Sequence, residues 1–164
     1  MVTEWRFCRR FLGDKSVITR QVIDLEKFMA QKSDPSCGAS VVFVGKVRNH
    51  HAGRMVKSLF YECYEAMAEK QVAWILERAR KSGRIHYARA IHRVGKLEIG
   101  DIAVVVEVSS THRNEAFEAC RTIIDAIKSE VPIWKKEAAL EKPANYSFEK
   151  RAVKQNEHIP KIHG

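Results

Sequence analysis

Apolar residues recur with helical spacing in two stretches of this chain and form β-branched runs in several others. Within residues 113–129 they stand at i, i+1, i+4, i+7, i+8 and i+11, which is the spacing of one buried helix face. These positions are Ala116, Phe117, Cys120, Ile123, Ile124 and Ile127. Residues 65–81 hold a similar period that includes Met67, and Gly83 follows as a helix-ending residue. Asp24 is placed to cap a third, brief helix.

The strand predictions come from runs of β-branched and aromatic residues bounded by turn signals. They cover residues 4–11, 17–22, 38–47, 56–64, 86–94, 102–110 and 132–140. Residues 38–64 are interpreted as one hairpin with a long basic loop, and residues 86–110 as a second hairpin. Because hairpins rather than single strands alternate with the helices, we predict an α+β fold with a largely antiparallel sheet.

One domain accounts for most of the 164 residues, a length that is sufficient to bury a core. We predict that it spans residues 1–142 and that the polar segment 143–164 is a C-terminal tail. No stretch approaches the roughly 20 apolar residues of a membrane-spanning helix, and the N-terminus does not resemble a secretory signal. The four cysteines lack the spacing of a metal site, which favours reduced thiols and a cytoplasmic location.

The net charge of +9 raises three classes of partner: nucleic acid, an anionic membrane surface, or a small phosphorylated or acidic ligand. Sequence motifs for ATP use, nicotinamide use, serine hydrolysis and zinc peptidase chemistry do not occur. A basic nucleic-acid-binding module remains an alternative, although the basic residues do not interleave with aromatic ones as in an RNA-binding surface.

Charged residues stand at both ends of the helix predicted for 113–129. His112 and Arg113 occupy its start, where free backbone N–H groups attract anions; a solvated first turn after a Thr111 cap is the alternative. Lys128 stands near its end, where it could simply stabilise the helix dipole. If the following strand brings Lys135 beside Lys128, the two ammonium groups would lower each other's pKa and yield a neutral amine.

Alternation places further charged side chains on shared strand faces. In the last strand Lys135 and Glu137 share one face, and Lys136 lies on the other. At the end of the strand 38–47, Lys46 and Arg48 point the same way.

Five motifs resemble, in order and spacing, the catalytic (large) subunit family of molybdopterin synthase. They are GASVVFVGKVRNH (38–50), YECYEAMAEK (61–70), HRVGKLEIGD (92–101), SSTHRNEAFEAC (109–120) and IDAIKSEVPIWKKE (124–137). The resemblance implies an α/β hammerhead-type domain with an additional antiparallel β subdomain. It also implies a sulfurtransferase, which uses the C-terminal thiocarboxylate of a small ubiquitin-like subunit ending in Gly-Gly. The acceptor would be cyclic pyranopterin monophosphate, and the product the molybdopterin dithiolene of molybdenum cofactor biosynthesis.

The resemblance further implies a homodimer of large subunits within a heterotetramer, with no metal or nucleotide cofactor in the large subunit itself. Catalytic roles fall on Lys128 and Lys135. The implied substrate-binding residues are Lys46, Val47, Arg48, His112, Arg113, Lys128, Lys135, Lys136 and Glu137. Arg48, His112 and Arg113 are expected to hold the phosphate. Lys128 is expected beside the carbonyl of the small subunit's tail, and Glu137 is expected to orient Lys135.

A non-catalytic scaffold that only binds the ubiquitin-like partner is a second alternative function. The helix is roughly 24 Å long, so its two charged ends can line one pocket in only two ways. Either the ligand is long, or a second subunit supplies one of the ends. We favour the second arrangement, a composite site built from two subunits. This sequence departs from the family pattern in the tail, where Asn145 and Tyr146 stand in place of the usual tryptophan, upstream of Arg151.

Overall fold

The computed structural model describes residues 17–30, 34–51 and 54–139. The strand expected at 4–11 and the tail 143–164 with Arg151 lie outside the described residues. The described elements are β1 (Ile18–Thr19), α1 (Leu25–Met29), β2 (Ala39–Lys46), β3 (His50–His51), β4 (Arg54–Cys63), α2 (Glu65–Lys81), β5 (Tyr87–Arg93), β6 (Gly95–Glu98), β7 (Ile102–Ser110), α3 (Arg113–Glu130) and β8 (Ile133–Ala139).

The three predicted helices are confirmed. Each has a local signal that marks its start or its end. The carboxylate of Asp24 accepts a hydrogen bond from the backbone N–H of Lys27 at 3.0 Å and so caps α1. Gly83 follows α2 with a φ of +72°, a left-handed conformation that glycine adopts without strain. Pro132 follows α3 and prevents its continuation.

The first sheet has the strand order β1-β5-β7-β2. β5 and β2 both pair antiparallel with β7, and the short β1 pairs parallel with β5. The antiparallel pairing predicted for residues 86–110 is therefore confirmed for β5 and β7, although β6 between them joins the other sheet. Strand 17–22 is shorter than predicted, since only Ile18–Thr19 pairs.

The second sheet has the order β3-β4-β6, and β8 pairs with β4. The hairpin predicted for residues 38–64 is therefore wrong, because β2 pairs with β7 and β4 pairs with β6 and β8. The reason lies at Val47, whose backbone N–H and carbonyl bind Asp101 and Gly100 and whose side chain enters a second core. These contacts carry the chain away from β2 and into the second sheet.

Helices α2 and α3 pack on one face of the first sheet and build the main core. Residues of their apolar faces are buried as predicted, except that Ala79 is partly buried, Phe117 is 61% exposed and Met67 is 46% exposed. Phe117 and Met67 stand at the margin of an apolar face, at the border between the buried and the exposed side of the helix. The mixed α+β architecture with a second, antiparallel sheet is thus confirmed.

Tyr61 connects the two parts of the fold. The smaller core under the second sheet consists of Val47, Val56, Leu59, Leu97 and Ala103. The half-buried side chain of Tyr61 packs against this core and against the main core. The two sheets therefore meet at Tyr61. Among the described residues, no helix is long and apolar enough to cross a membrane.

Candidate active site

Lys128 lies in the last turn of α3, on the side of the helix that faces β2. Its side chain is exposed, and its Nζ lies 5.9 Å from the centroid of the Phe43 ring. Phe43 stands on β2 and packs against the main core. An ammonium group over an aromatic face is attracted by the ring, so Phe43 holds the amine end of Lys128 above the edge of the first sheet.

Lys135 stands on β8, which pairs with β4 of the second sheet. Its Nζ forms an ion pair with Oε1 of Glu137 at 2.5 Å, and the two side chains are 35% and 25% exposed. Residues two apart on a strand share a face, so this pairing is the one that the alternation predicts. Lys136 points to the opposite face, where its Nζ pairs with Oε1 of Glu62 at 2.6 Å.

Tyr61 stands directly opposite Lys135 in the pairing of β4 with β8. Its ring meets the ring of His92 edge to face, with 5.2 Å between the ring centroids. Burial raises the pKa of Tyr61, and the nearby Glu137 carboxylate raises it further. The phenol is therefore uncharged at neutral pH and can donate a hydrogen bond toward the site.

His92 packs against the Tyr61 ring from β5 of the first sheet. Burial lowers the pKa of His92 to about 4, and a hydrogen bond to the carbonyl of Arg93 offsets this only in part. Because a carbonyl oxygen can only accept, the 2.9 Å contact requires that Nδ1 of His92 carries the proton. The ring is thus neutral at physiological pH, with a fixed tautomer.

Lys46 is the last residue of β2, and Val47 and Arg48 follow it at this end of the first sheet. Lys46 and Arg48 are exposed, whereas Val47 is 3% exposed and belongs to the second core. The backbone N–H and carbonyl of Val47 are already hydrogen-bonded, so Val47 offers a ligand no free group. Its role is structural: burial of Val47 leaves its two basic neighbours on the surface.

A series of neighbouring residues connects the elements that carry these side chains, from Phe43 beneath Lys128 to Tyr61 opposite Lys135. Gly45 of β2, Val104 of β7 and His92 of β5 lie side by side across the first sheet. A Cβ atom at Gly45 would lie 2.6 Å from Cγ1 of Val104 and 3.3 Å from the Phe43 ring. Any larger residue at position 45 would therefore displace Val104 or the Phe43 ring, which contacts Lys128. We call Lys46, Arg48, Lys128, Lys135 and Glu137 the lysine corner.

His112 and Arg113 lie at the other end of α3. His112 is the N-cap residue, with extended backbone, and its side chain makes no capping hydrogen bond; Arg113 starts the helix. Both side chains are exposed. The alternative in which Thr111 caps the helix is not the one observed, since His112 is the N-cap residue and the hydroxyl of Thr111 contacts Nε2 of His86 at 2.9 Å. The first backbone N–H groups of α3 thus lack a side-chain cap and can bind an anion.

One chain does not bring the predicted site residues together in one pocket. At 1.5 Å per residue, the Cα atoms of Arg113 and Lys128 are about 23 Å apart along α3. The lysine corner and the pair His112–Arg113 are therefore two separate basic clusters. Within the described residues, no group of three or more His, Cys, Asp or Glu side chains could hold a metal ion.

The sequence did not identify Tyr61, His92 and Phe43 as parts of this region. Each lies on a strand and reads as an ordinary core residue by alternation. Their relevance follows from pairing: Tyr61 is opposite Lys135, and Phe43 lies beneath Lys128. No local pattern carries this information, because the partners are far apart along the chain.

Comparison with known proteins shows the family to which this chain belongs. It matches the family model of the MoaE protein over residues 18–130. Molybdopterin synthase catalytic subunit 1 of Mycobacterium tuberculosis is 43% identical over 120 residues, which cover 73% of this chain and 82% of that protein. The molybdopterin synthase catalytic subunit of Pyrococcus abyssi is 44% identical over 114 residues, or 70% and 77% of the two chains.

Solved structures give the same result. Molybdopterin synthase from Staphylococcus aureus superposes with a TM-score of 0.70 at 39% identity, covering 76% of this chain and 90% of that chain. A complex of subunits 1 and 2 of the molybdopterin-converting factor from Helicobacter pylori shares the fold, with a TM-score of 0.62 at 22% identity over 77% and 89% of the chains. The chain with this two-sheet fold and this lysine corner therefore belongs to the MoaE family of molybdopterin synthase catalytic subunits.

Proposed function

We propose that this chain transfers sulfur to cyclic pyranopterin monophosphate, at a site that combines the lysine corner of one copy with His112 and Arg113 of a second copy. The sulfur donor is the C-terminal thiocarboxylate of a small ubiquitin-like subunit ending in Gly-Gly. The complete enzyme is a heterotetramer, with two large subunits at its centre and one small subunit bound to each.

The observation that carries this proposal is the ion pair of Lys135 and Glu137 opposite Tyr61, with Lys128 at the same corner. Both ligands of the reaction are anions: one carries a phosphate and the other ends in a thiocarboxylate. Exposed amines on a rigid strand and a rigid helix bind such groups at defined positions. The carboxylate of Glu137 fixes the direction of one of these amines.

Each of the two sulfur transfers requires two bonds to form, a C–S bond on the pterin and an acyl C–O bond from water, and two bonds to break. The thiocarboxylate sulfur forms a C–S bond with a carbon of the pterin's side ring, and a C–O bond of that carbon breaks. The departing oxygen takes a proton, which the oriented ammonium of Lys135 can donate. Lys128 stabilises negative charge on the carbonyl oxygen of the tail while water cleaves the remaining acyl–sulfur bond. The tail leaves as an ordinary carboxylate.

The second copy is needed because of the length of α3. The phosphate requires donors with a planar fork or a helix start, and His112 and Arg113 supply both. In one chain they lie about 23 Å from Lys128 along the helix. A two-fold related copy can place its own helix start beside the lysine corner, and it receives the same contribution in return.

The catalytic assignment is tested by Lys128→Ala and Lys135→Ala, assayed with thiocarboxylated small subunit and pterin precursor. We expect each to lower the rate of dithiolene formation by about 10²–10⁴. Lys81→Ala, an exposed lysine in the last turn of α2, is the matched control and is expected to keep the native rate. Near-native rates in both site variants would sink the catalytic assignment.

The composite site is tested by mixing Lys128→Ala with Arg113→Ala under conditions of subunit exchange. A mixed dimer then has one site with both defects and one site with neither. Random pairing restores about a quarter of the sites. If all site residues came from one chain, every site in the mixture would keep a defect, and activity would not recover.

A further inference from the structure

The segment that carries Lys46 and Arg48 is fixed through its backbone at Val47. The N–H group of Val47 donates to the carbonyl oxygen of Asp101 at 2.9 Å, and the carbonyl oxygen of Val47 accepts from the N–H group of Gly100 at 2.8 Å. The side chain of Val47 is 3% exposed and lies in the smaller core. The position of the two exposed basic residues therefore depends on the turn that contains Gly100 and Asp101.

The backbone on the other side of Arg48 is held as well. The carbonyl oxygen of Asn49 accepts a hydrogen bond from the N–H group of Val56 at 2.9 Å, and Val56 is buried in the same core. Arg48 thus stands between two anchored residues. An exposed cation on a backbone that is fixed on both sides loses less conformational freedom on binding an anion than a cation on a loose loop.

The carboxylate of Asp101 closes the turn between β6 and β7. Its Oδ2 atom accepts a hydrogen bond from the backbone N–H of Glu98 at 3.0 Å and another from Nη1 of Arg93 at 3.0 Å. The backbone N–H of Asp101 in turn donates to the carbonyl oxygen of Glu98 at 3.1 Å. These contacts set the direction in which the turn presents its own backbone groups to Val47.

Arg93 holds this turn from the last position of β5. Besides its contact with Asp101, the guanidinium donates from Nη2 to the carbonyl oxygen of Lys96 at 3.4 Å, so one planar group joins β6 to the turn that follows it. The side chains of Arg93 and Asp101 are 12% and 32% exposed. A charge-assisted hydrogen bond is strengthened where solvent is largely excluded, so this pair is a firm support for the turn.

We propose that Arg93 and Asp101 are positioning residues, which place Arg48 for the substrate through the backbone of Val47. Arg93 fixes the Asp101 carboxylate, this carboxylate fixes the turn, and the turn fixes the segment that carries Arg48. Neither member of the pair needs to contact the substrate. The inference rests on the proposed function and on the expected contact of Arg48 with the phosphate, and it names the groups that make this contact possible.

The test is Asp101→Asn, assayed for dithiolene formation over a range of pterin concentrations. The amide can still accept a hydrogen bond from the N–H group of Glu98, but it lacks the charge that binds Arg93. We expect KM for the pterin to rise about tenfold and kcat to stay within about a factor of three, because phosphate binding is the same in the ground state and the transition state. Arg93→Lys keeps the charge without the planar fork, so its KM should rise less than that of Arg93→Ala.

Glu77→Gln is the matched control for Asp101→Asn. It breaks the ion pair of Glu77 with Arg80 in α2, whose side chains are 37% and 15% exposed and thus as covered as those of Asp101 and Arg93. KM of the control is expected to be native. A pair that serves only the stability of the fold would leave KM unchanged in both variants, so equal KM values would overturn the inference.

A double variant shows whether the effect passes through Arg48. In an Arg48→Ala background, the substitution Asp101→Asn is expected to raise KM no further, because the residue that it misplaces is already absent. If the two increases in KM multiply instead, the pair acts on substrate binding by another route, and the inference is refuted.

Hydrogen exchange at the backbone amide of Val47 separates this inference from the proposed function. In Asp101→Asn this amide is expected to exchange about tenfold faster than in the native chain, while the amides of α2 keep their native rates and so report an intact fold. A native exchange rate at Val47 would overturn the inference. Faster exchange at Val47 together with a native KM in Arg48→Ala would leave the positioning of Arg48 standing and refute its phosphate contact.

Discussion

Glu137→Gln tests whether the ion pair at the lysine corner serves catalysis rather than stability. The carboxylate lies 2.5 Å from Nζ of Lys135, and the two side chains are 25% and 35% exposed. Ion pairs that reach solvent to this degree contribute about 0–1 kcal/mol to folding, so the variant is expected to unfold within about 1 kcal/mol of the native chain. The amide keeps the shape of the side chain and loses the charge that orients the amine.

The expected catalytic effect is larger than the effect on stability. If the carboxylate holds Lys135 in the direction of the departing oxygen, its loss lowers kcat about 10–100-fold, as for other groups that orient a catalytic residue. KM for the pterin changes little, because phosphate binding depends on other residues. The assay is single-turnover dithiolene formation with saturating thiocarboxylated partner.

Glu62→Gln is the matched control for this experiment. It breaks an ion pair of similar length, with Lys136, on the opposite face of the same two strands. Its stability effect should equal that of Glu137→Gln, and its kcat should be native. In a Lys135→Ala background, Glu137→Gln should have no further effect. Equal kcat values for Glu137→Gln and Glu62→Gln would refute the reasoning.

Two further predictions concern the residues beneath the site. Burial lowers the pKa of His92 from 6.5 to about 4. Between these pH values the imidazole binds a proton in the unfolded chain but not in the folded chain. Lowering the pH from 7.5 to 5 should therefore cost about 2 kcal/mol of folding stability. Urea unfolding at the two pH values should show this loss in the native chain and a smaller one in His92→Gln. Gly45→Ala should destabilise the fold by about 1–3 kcal/mol and lower activity, because the new methyl group displaces Val104 or the Phe43 ring beneath Lys128; an unfolding midpoint equal to the native one would contradict this.

The sequence predicted the helices well because helices depend on local signals. The spacing of apolar residues located α2 and α3 to within a residue or so, and Asp24 and Gly83 marked helix ends. Six of the eight described strands were also predicted, since β-branched runs are local as well, whereas the short β3 and β6 fall where a loop and a turn were expected. Exposure of Phe117 was not foreseen, because an apolar residue at a surface and one in a core have the same spacing.

Pairing between strands could not be predicted to the same degree. Only a basic loop with the two-residue β3 separates β2 from β4 in the chain, and this short connection suggested a hairpin. The structure instead pairs β2 with β7 and β4 with β8, partners that are distant along the chain. Which edges meet depends on the burial of Val47 and on the shape of two cores, neither of which a local pattern describes. For the same reason Tyr61 and His92 were not recognised beneath Lys135.

The position of Tyr61 between the two cores means that the site has no single rigid support. Lys135 and Glu137 are carried by the second sheet, whereas Lys128 is carried by a helix on the first. The angle between the sheets therefore sets the spacing of the two amines, and the contact of Tyr61 with His92 is one of the contacts that fixes this angle. Substitutions beneath the site contact neither ligand. They would nevertheless lower the reaction rate, because they would tilt one sheet relative to the other and change the distance between the two amines.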